Sequence, residues 1–427
     1  MKRLIKKKEL KSTYQEKLFQ HDLYEKVRFQ KKSSLTKAFI LTTFLLTFLL
    51  IATTSKNVSA ATVESDETVN GVRQYVISPG GEDDYKIIER CLSSNGDSGV
   101  NITLMPGTYN LIYSLKVFNN TTITATGATI IQTADGKGLL INARYAGSKY
   151  GEGTSGYTSC ENITIDGGTW IGTYKPDTTK TFKDTGYYVG YSSIMFMHGK
   201  NITVKNASFK HNYNGHFIEF AGINNGKIIN CNLNMSDSIY VGEPNNEAIQ
   251  IDNTYAQANS PVGSPWDDTA CQNITIQGCN IKYVRGIGTN RIGNSPFVNI
   301  KVLYNTIVTT KGEGVNAYDI KGFTADHNTI KVTHKKDDYT SVGLYLGLSS
   351  KMSNWGTYST MISNNKITGY SAGLKIVGFN GATFNKITLK NNTFMSTKDL
   401  KSALVLAYSG KQILQLINVN NILKKVN

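Results

Sequence analysis

A short motif recurs along this chain, and its spacing leaves few folds open. In the stretch Lys200–Phe220, Ile202 and Val204 alternate with polar residues, and Phe209 follows after a tight polar corner. With Val204 as the register mark, the pattern returns at Ile165, Ile228, Ile276, Val302, Ala325, Ile362 and Leu389. The trailing apolar anchor returns at Trp170, Leu233, Ile281, Ile307, Ile330, Ile367 and Phe394. Successive marks lie 39, 24, 48, 26, 23, 37 and 27 residues apart. A base period near 24 with inserted loops accounts for these gaps, the 48 being two coils or one coil with a large excursion.

Such a period with no helical periodicity inside it marks a solenoid, because one coil cannot bury its apolar face without stacking on its neighbours. We expect an all-β fold, a single-stranded right-handed parallel β-helix. Three residues after each mark stand Gly168, Ala207, Cys231, Cys279, Asn305, Asn328, Asn365 and Asn392. Four successive asparagines at one coil position predict an internal amide ladder at the strand spacing of about 4.8 Å. Asn also tolerates the left-handed backbone of a sharp corner.

Charge is distributed unevenly. Residues 1–60 hold 13 Lys+Arg against 4 Asp+Glu, and the remainder carries 33 against 27, so most of the formal +15 is N-terminal. That gives no basic face for nucleic acid, and no nucleic-acid partner is expected. The Lys-rich leader runs into the apolar stretch Ala38–Ala52 and then Val58-Ser59-Ala60, which reads as a signal peptide cleaved after Ala60. The competing reading is an uncleaved membrane anchor, for which the run is short. Either way the body is exported, to be secreted or held at the cell surface.

The expected organisation is a leader over residues 1–60, an N-terminal cap with a short helix over 61–99, and the β-helix over 100–427. The helix is read from Tyr85, Ile88, Cys91 and Leu92 after the acidic Gly81–Asp84. Five cysteines leave at least one unpaired. Cys231 and Cys279 share the ladder column and read as small buried residues, with a disulfide as the alternative. The Asn-x-Thr triplets at Asn162, Asn201 and Asn273 belong to the repeat rather than to glycosylation. Loops between strands carry Tyr150, Tyr157, Tyr174, Tyr187, Tyr188, Tyr255 and Trp266, residues suited to sugar rings or to ordinary loop packing.

Each coil carries a further strand, marked by Ile218, Ile249, Ile287, Val315, Leu344, Leu374 and Leu404. If these marks point inward, the next residues form an outward row of Glu219, Gln250, Gly288, Asn316, Tyr345 and Lys375. Two residues further on are Asp252, Asn290 and Tyr318; two residues before the marks stand His216, Glu247, Arg285 and Glu313. Four successive coils thus gather ionisable groups in one patch. Structural charges on a solenoid scatter, so the patch points to chemistry; a salt-bridge ladder holding the sheet together is the plain alternative.

Two features resemble the pectin-lyase-like superfamily of parallel β-helices: the acidic-start helix, and the strand Val100–Leu104 ending in Pro106-Gly107-Thr108-Tyr109. Glu247-Ala-Ile-Gln-Ile-Asp252 is similar in position to a catalytic strand of polygalacturonases, with His216, Arg285 and Glu313 at matching places on neighbouring coils. The Asp-Asp, Gly-His-Gly and Arg-Ile-Lys of that family are absent there. The resemblance implies a polysaccharide-facing groove and a glycoside hydrolase acting without a cofactor, as a monomer.

In that reading Glu247 is proton donor or base, with Asp252 or Glu313 as its carboxylate partner. A two-coil separation of about 9.6 Å lies near the upper end of the inverting range. His216, Arg285, Glu219, Gln250, Asn290, Asn316, Tyr345 and Trp266 would position the sugar. The runner-up is a lyase or epimerase on uronic-acid sugars, in which Arg285 or His216 abstracts a proton and Glu219, Glu247 and Asp252 hold Ca²⁺. A non-catalytic glycan binder is the third reading.

Overall fold

The structure is a computed structural model. It describes residues 60–427 apart from 82, 135–136, 145–153, 173–191, 213–214, 236–245, 255–265, 291–293, 350–358, 379–381 and 409–412, together with the side chains of Asn290 and Tyr408. The leader, the apolar run, Tyr150, Tyr174, Tyr187, Tyr188 and Tyr255 lie outside the described residues. No helix among those described is long and apolar enough to cross a membrane.

The chain winds as a parallel β-helix whose coils contribute to three stacks of strands. The leading strands carry the first set of marks, and their register is the one the repeat predicts. Ile165 pairs with Val204, then Ile228, Ile276, Val302, Ala325, Ile362 and Leu389 in unbroken succession. The anchor strands form a separate 11-stranded sheet in which Trp170, Phe209, Leu233, Ile281, Ile307, Ile330, Ile367 and Phe394 stack. All eight are buried to within 1%. Each such side chain contributes about 1.5–3 kcal/mol by leaving water, which is why one apolar residue per corner suffices to set the register.

The third stack, here the groove sheet, holds Ile218, Ile249, Ile287, Val315, Leu344, Leu374 and Leu404 as direct neighbours. The strand Ile218–Ile229 pairs with both Glu247–Asp252 and Gln272–Gln277. The 48-residue gap therefore holds one coil with a large excursion, and His216 and Glu219 stay beside Glu247 and Gln250.

The buried amide ladder is present and is one member longer than expected. Asn305, Asn328, Asn365 and Asn392 each donate Nδ2 to the Oδ1 of the next, at 2.8–3.0 Å, and Asn421 ends the series. A second ladder runs along an exposed corner. Asn162, Asn201, Asn225 and Asn299 donate to Asn120, Asn162, Asn201 and Asn273, all at φ between +54° and +61°. The Asn-x-Thr triplets supply Asn162, Asn201 and Asn273 of this outer ladder, and Asn225 and Asn299 join it without one. All five cysteines are buried and free, so Cys231 and Cys279 fill the ladder column as thiols.

At the N-terminal end the helix Tyr85–Ser93 buries Ile88, Cys91 and Leu92 in the core. Its N-cap residue Asp84 makes no side-chain cap bond; the buried carboxylate instead accepts from Gly80 N and Asn110 N, at 2.9 and 2.8 Å. Asp84 thus fastens the helix to the strand Gly107–Leu111. Before the helix lies an antiparallel hairpin, Thr62–Val69 and Val72–Ser78, which the solenoid repeat does not reveal.

Candidate functional site

The file two residues ahead of the groove-sheet marks forms a connected cluster. Arg285 lies between Glu247, its strand partner, and Glu313 on the following coil. Its guanidinium reaches Glu247 Oε1 at 3.1 Å, and donates to Glu313 Oε2 through Nη2 at 2.7 Å and Nε at 3.0 Å. The side chains of Arg285, Glu247 and Glu313 are 21%, 13% and 3% exposed, so the bridge is mostly but not wholly removed from water. Burial pushes both carboxyls above their usual range, and Arg285 pulls them back. Burial also works to lower the guanidinium's basicity, but the two carboxylates outweigh it and hold Arg285 protonated.

His216 is the fourth member. Its Nδ1 lies 2.7 Å from the Glu247 carbonyl oxygen, and burial holds the imidazole below its ordinary value against the pull of Glu219. Beneath it, Phe217 packs on Tyr283 with ring centroids 4.9 Å apart, and the Tyr283 hydroxyl donates to Gly215 O at 2.9 Å. Glu247 also needs a neighbour without a side chain: a Cβ on Gly288 would stand 2.6 Å from Glu247 Cγ and 2.9 Å from its Cδ.

The outward row is as the alternation predicts, Glu219 beside Gln250, then Gly288, Asn316, Tyr345 and Lys375. Its first members are less exposed than an outward row implies. Glu219, Gln250 and Asp252 are buried, Glu219 accepts from the Ser192 hydroxyl, and Gln250 Nε2 donates to Asp252 Oδ1 at 2.5 Å. Gln250 Oε1 and Asn316 Oδ1 are buried without a hydrogen-bond partner among the described residues. Further along, Tyr318 and Tyr345 stack with centroids 6.5 Å apart. Asn290 ends its strand, and its side chain lies outside the described residues.

Among the described residues no three His, Cys, Asp or Glu side chains converge as a metal ion would require. The sequence-predicted calcium set is engaged elsewhere, with Glu247 on Arg285, Glu219 on Ser192 and Asp252 on Gln250. Arg285 is a clamped cation, ill suited to abstract a proton.

Trp266 is 45% exposed and precedes a staple that the repeat did not predict. Asp267 accepts from Gly156 N, the Thr254 hydroxyl and Thr269, and these bonds hold its carboxyl down to about 2 despite partial burial. Asp268 accepts from Asn294 N and Ser295 N. The Tyr157 hydroxyl donates to Ala270 O at 2.8 Å. The Asp267-Asp268 pair between Trp266 and Thr269 was the available sequence signal.

No protein-family model and no curated protein matches this sequence. Among solved structures, the surface protein and adhesin PfbA of Streptococcus pneumoniae matches with a TM-score of 0.51 at 18% identity, over 81% of this chain and 95% of that one. A hyperthermoactive exopolygalacturonase from Thermotoga maritima matches at 0.50 and 11% identity, over 84% and 94%. A polygalacturonase from Erwinia carotovora matches at 0.45 and 14%, over 84% and 100%. At such identities the likeness is one of fold, and the fold is the right-handed parallel β-helix.

Proposed function

We propose that the protein is exported and acts on a polysaccharide laid along the groove sheet, as a glycoside hydrolase in which Glu247 and Glu313 supply the carboxyl pair. The observation that carries this reading is the Glu247–Arg285–Glu313 file. Two carboxyls two coils apart, each pushed up by burial, occupy one edge of an outward sheet, where perturbed acids most often mark chemistry. Glu247, the more exposed, is assigned the proton transfer; Glu313, with two bonds from Arg285, is assigned the second carboxylate. His216, Gln250, Asn316 and Tyr345 are assigned to the sugar hydroxyls and ring faces, and Trp266 to the far edge. The right-handed β-helix shared with an exopolygalacturonase agrees with this assignment without fixing the reaction.

A second reading has its own observation. One guanidinium binds both carboxylates, which is also what a recognition strip with no turnover would need, and the fold is shared with an adhesin as well. Glu247→Gln separates the two. Under hydrolysis it abolishes new reducing ends; under glycan binding there is no turnover to lose, and the variant alters affinity alone.

A further inference from the structure

The positive surplus of the body, 33 Lys+Arg against 27 Asp+Glu, is not shared evenly among its faces. Along the anchor sheet, alternation turns the residues on either side of each buried anchor outward. None of its eleven strands contains an Asp or a Glu. The file that follows the anchors reads Lys210, Asn234, Lys282, Val308 and Lys331 on successive coils. The file that precedes them reads Ser208, Asn232, Asn280, Thr306, Thr329 and Lys366.

Lysine thus stands on every second coil of one file, about 9.6 Å from the next at the strand spacing, with a neutral residue between. That separation is close to the distance over which physiological salt screens a charge, so the lysines tolerate one another. Lys282, Lys331 and Lys366 are exposed, and Lys210 is partly so. None of these four ammonium groups enters an ion pair among the described residues.

The neighbouring charges are already matched. On the leading sheet, Lys200 and Lys205 are held by Glu161 and Asp166 at 2.6 and 3.0 Å. The acids that follow Lys331 in the chain are engaged too, Asp338 by Lys336 at 2.9 Å and Asp337 by Lys398 at 2.5 Å. The anchor face keeps its cations uncompensated.

Cations separated mostly by hydroxyls and amides fit a polyanion that brings hydrogen-bonding groups of its own. An acidic sugar chain is such a polymer. One pyranose is about as long as one coil is tall, so a chain parallel to the axis sets alternate acidic groups over Lys210, Lys282 and Lys331. Ser208, Asn232, Asn280 and Thr306 then face its hydroxyls. A nucleic acid fits less well, because no outward residue of these strands is aromatic and none can stack a base.

We propose that the outer face of the anchor sheet binds an acidic polysaccharide along the solenoid axis, its carboxylate or sulfate groups pairing with Lys210, Lys282, Lys331 and Lys366. The site is separate from the groove sheet and does not depend on Glu247 or Glu313.

Fluorescence anisotropy of the full chain with labelled heparin and labelled oligogalacturonate tests this, with neutral dextran and single-stranded oligo(dT) for comparison. The anchor triple, Lys210→Gln with Lys282→Gln and Lys331→Gln, removes three charges from the proposed face. The leading triple, Lys227→Gln with Lys301→Gln and Lys390→Gln, removes the same charge from exposed lysines of the other sheet. The expected result is salt-sensitive binding of at least one acidic polysaccharide, tighter than that of dextran or oligo(dT). It should weaken about tenfold or more in the anchor triple and less than about threefold in the leading triple. Preference for oligogalacturonate assigns carboxylate as the bound group, and preference for heparin assigns sulfate. Arginine at the same three anchor positions keeps the charge and should bind as wild type. So should Glu247→Gln, which keeps this outcome distinct from that of the groove. Equal weakening by the two glutamine triples would overturn the proposal in favour of bulk charge, and binding that neither changes would do so in favour of the basic leader. No binding of either acidic polymer, oligo(dT) held at least as tightly, or loss of binding in the arginine triple would also overturn it.

Discussion

Replacing Arg285 by Met removes the cation that bridges the Glu247 and Glu313 carboxylates, and its cost should depend on pH in a direction that can be worked out. Three polar contacts go at once, one to Glu247 at 3.1 Å and two to Glu313 at 2.7 and 3.0 Å. Breaking a buried pair by removing one partner costs about 3–5 kcal/mol. Glu247 and Arg285 retain some exposure, so the lower half of that range applies near pH 7.5. The carboxyls already sit above their usual range through burial, and without Arg285 they rise further.

A carboxyl whose folded pKa lies above its unfolded value, about 4.3 for Glu, binds more protons in the folded state between those two values. Its contribution is full below the unfolded pKa and is lost as pH rises through the folded one. The Arg285→Met penalty should therefore shrink to about 1 kcal/mol near pH 4.5 and grow toward neutrality. Denaturant midpoints for wild type and variant at pH 4.5, 6 and 7.5 measure this. A penalty below about 1 kcal/mol at pH 7.5, or one equal at all three pH values, would refute the ion-pair account of the file.

Two further variants test other parts of the structure. Asn328→Ala strands Asn305 N, Asn305 Nδ2 and Val302 O inside the core. It should cost about 3–5 kcal/mol, whereas Asn273→Ala on the exposed ladder should cost about 1 kcal/mol, and equal denaturant shifts would contradict the division into buried and exposed ladders. Gly288→Ala would bring a methyl within 2.6 Å of Glu247 Cγ and push that carboxylate off Arg285. Activity or glycan affinity should fall at least about tenfold together with a stability loss of about 1–3 kcal/mol from the separated ion pair, and unchanged function would remove Glu247 from the site.

The register of this fold is legible in sequence because each coil supplies its own apolar marks at fixed offsets. Val204, Phe209 and Ile218 sufficed to align every later coil. The hairpin Thr62–Ser78 was invisible to that reading because Thr62–Val69 pairs antiparallel, and Val72–Ser78, although it pairs parallel with Val100–Leu104, precedes the first repeat mark. The outer ladder was hidden for a different reason: Asn162 and Asn201 do lie within strands, Cys160–Asp166 and Ile194–Lys205, and only their positive φ reveals the bend that turns their side chains into a ladder. Burial of the outward row escaped too, since alternation gives the direction of Glu219 and Gln250 but not what lies over them. The ionisable file was found by position, and its bonding was not, because spacing cannot say that one guanidinium takes both carboxylates.

The most direct measurement incubates the full chain and its Glu247→Gln variant with neutral and uronic-acid polysaccharides, following new reducing ends and absorbance from unsaturated products, with and without chelator. Hydrolysis through Glu247 predicts reducing ends without that absorbance, insensitive to chelator and lost in the variant. Absorbance that vanishes with chelator would contradict it in favour of elimination. No product from any substrate, alongside binding that the variant changes, would contradict it in favour of a glycan-recognition strip.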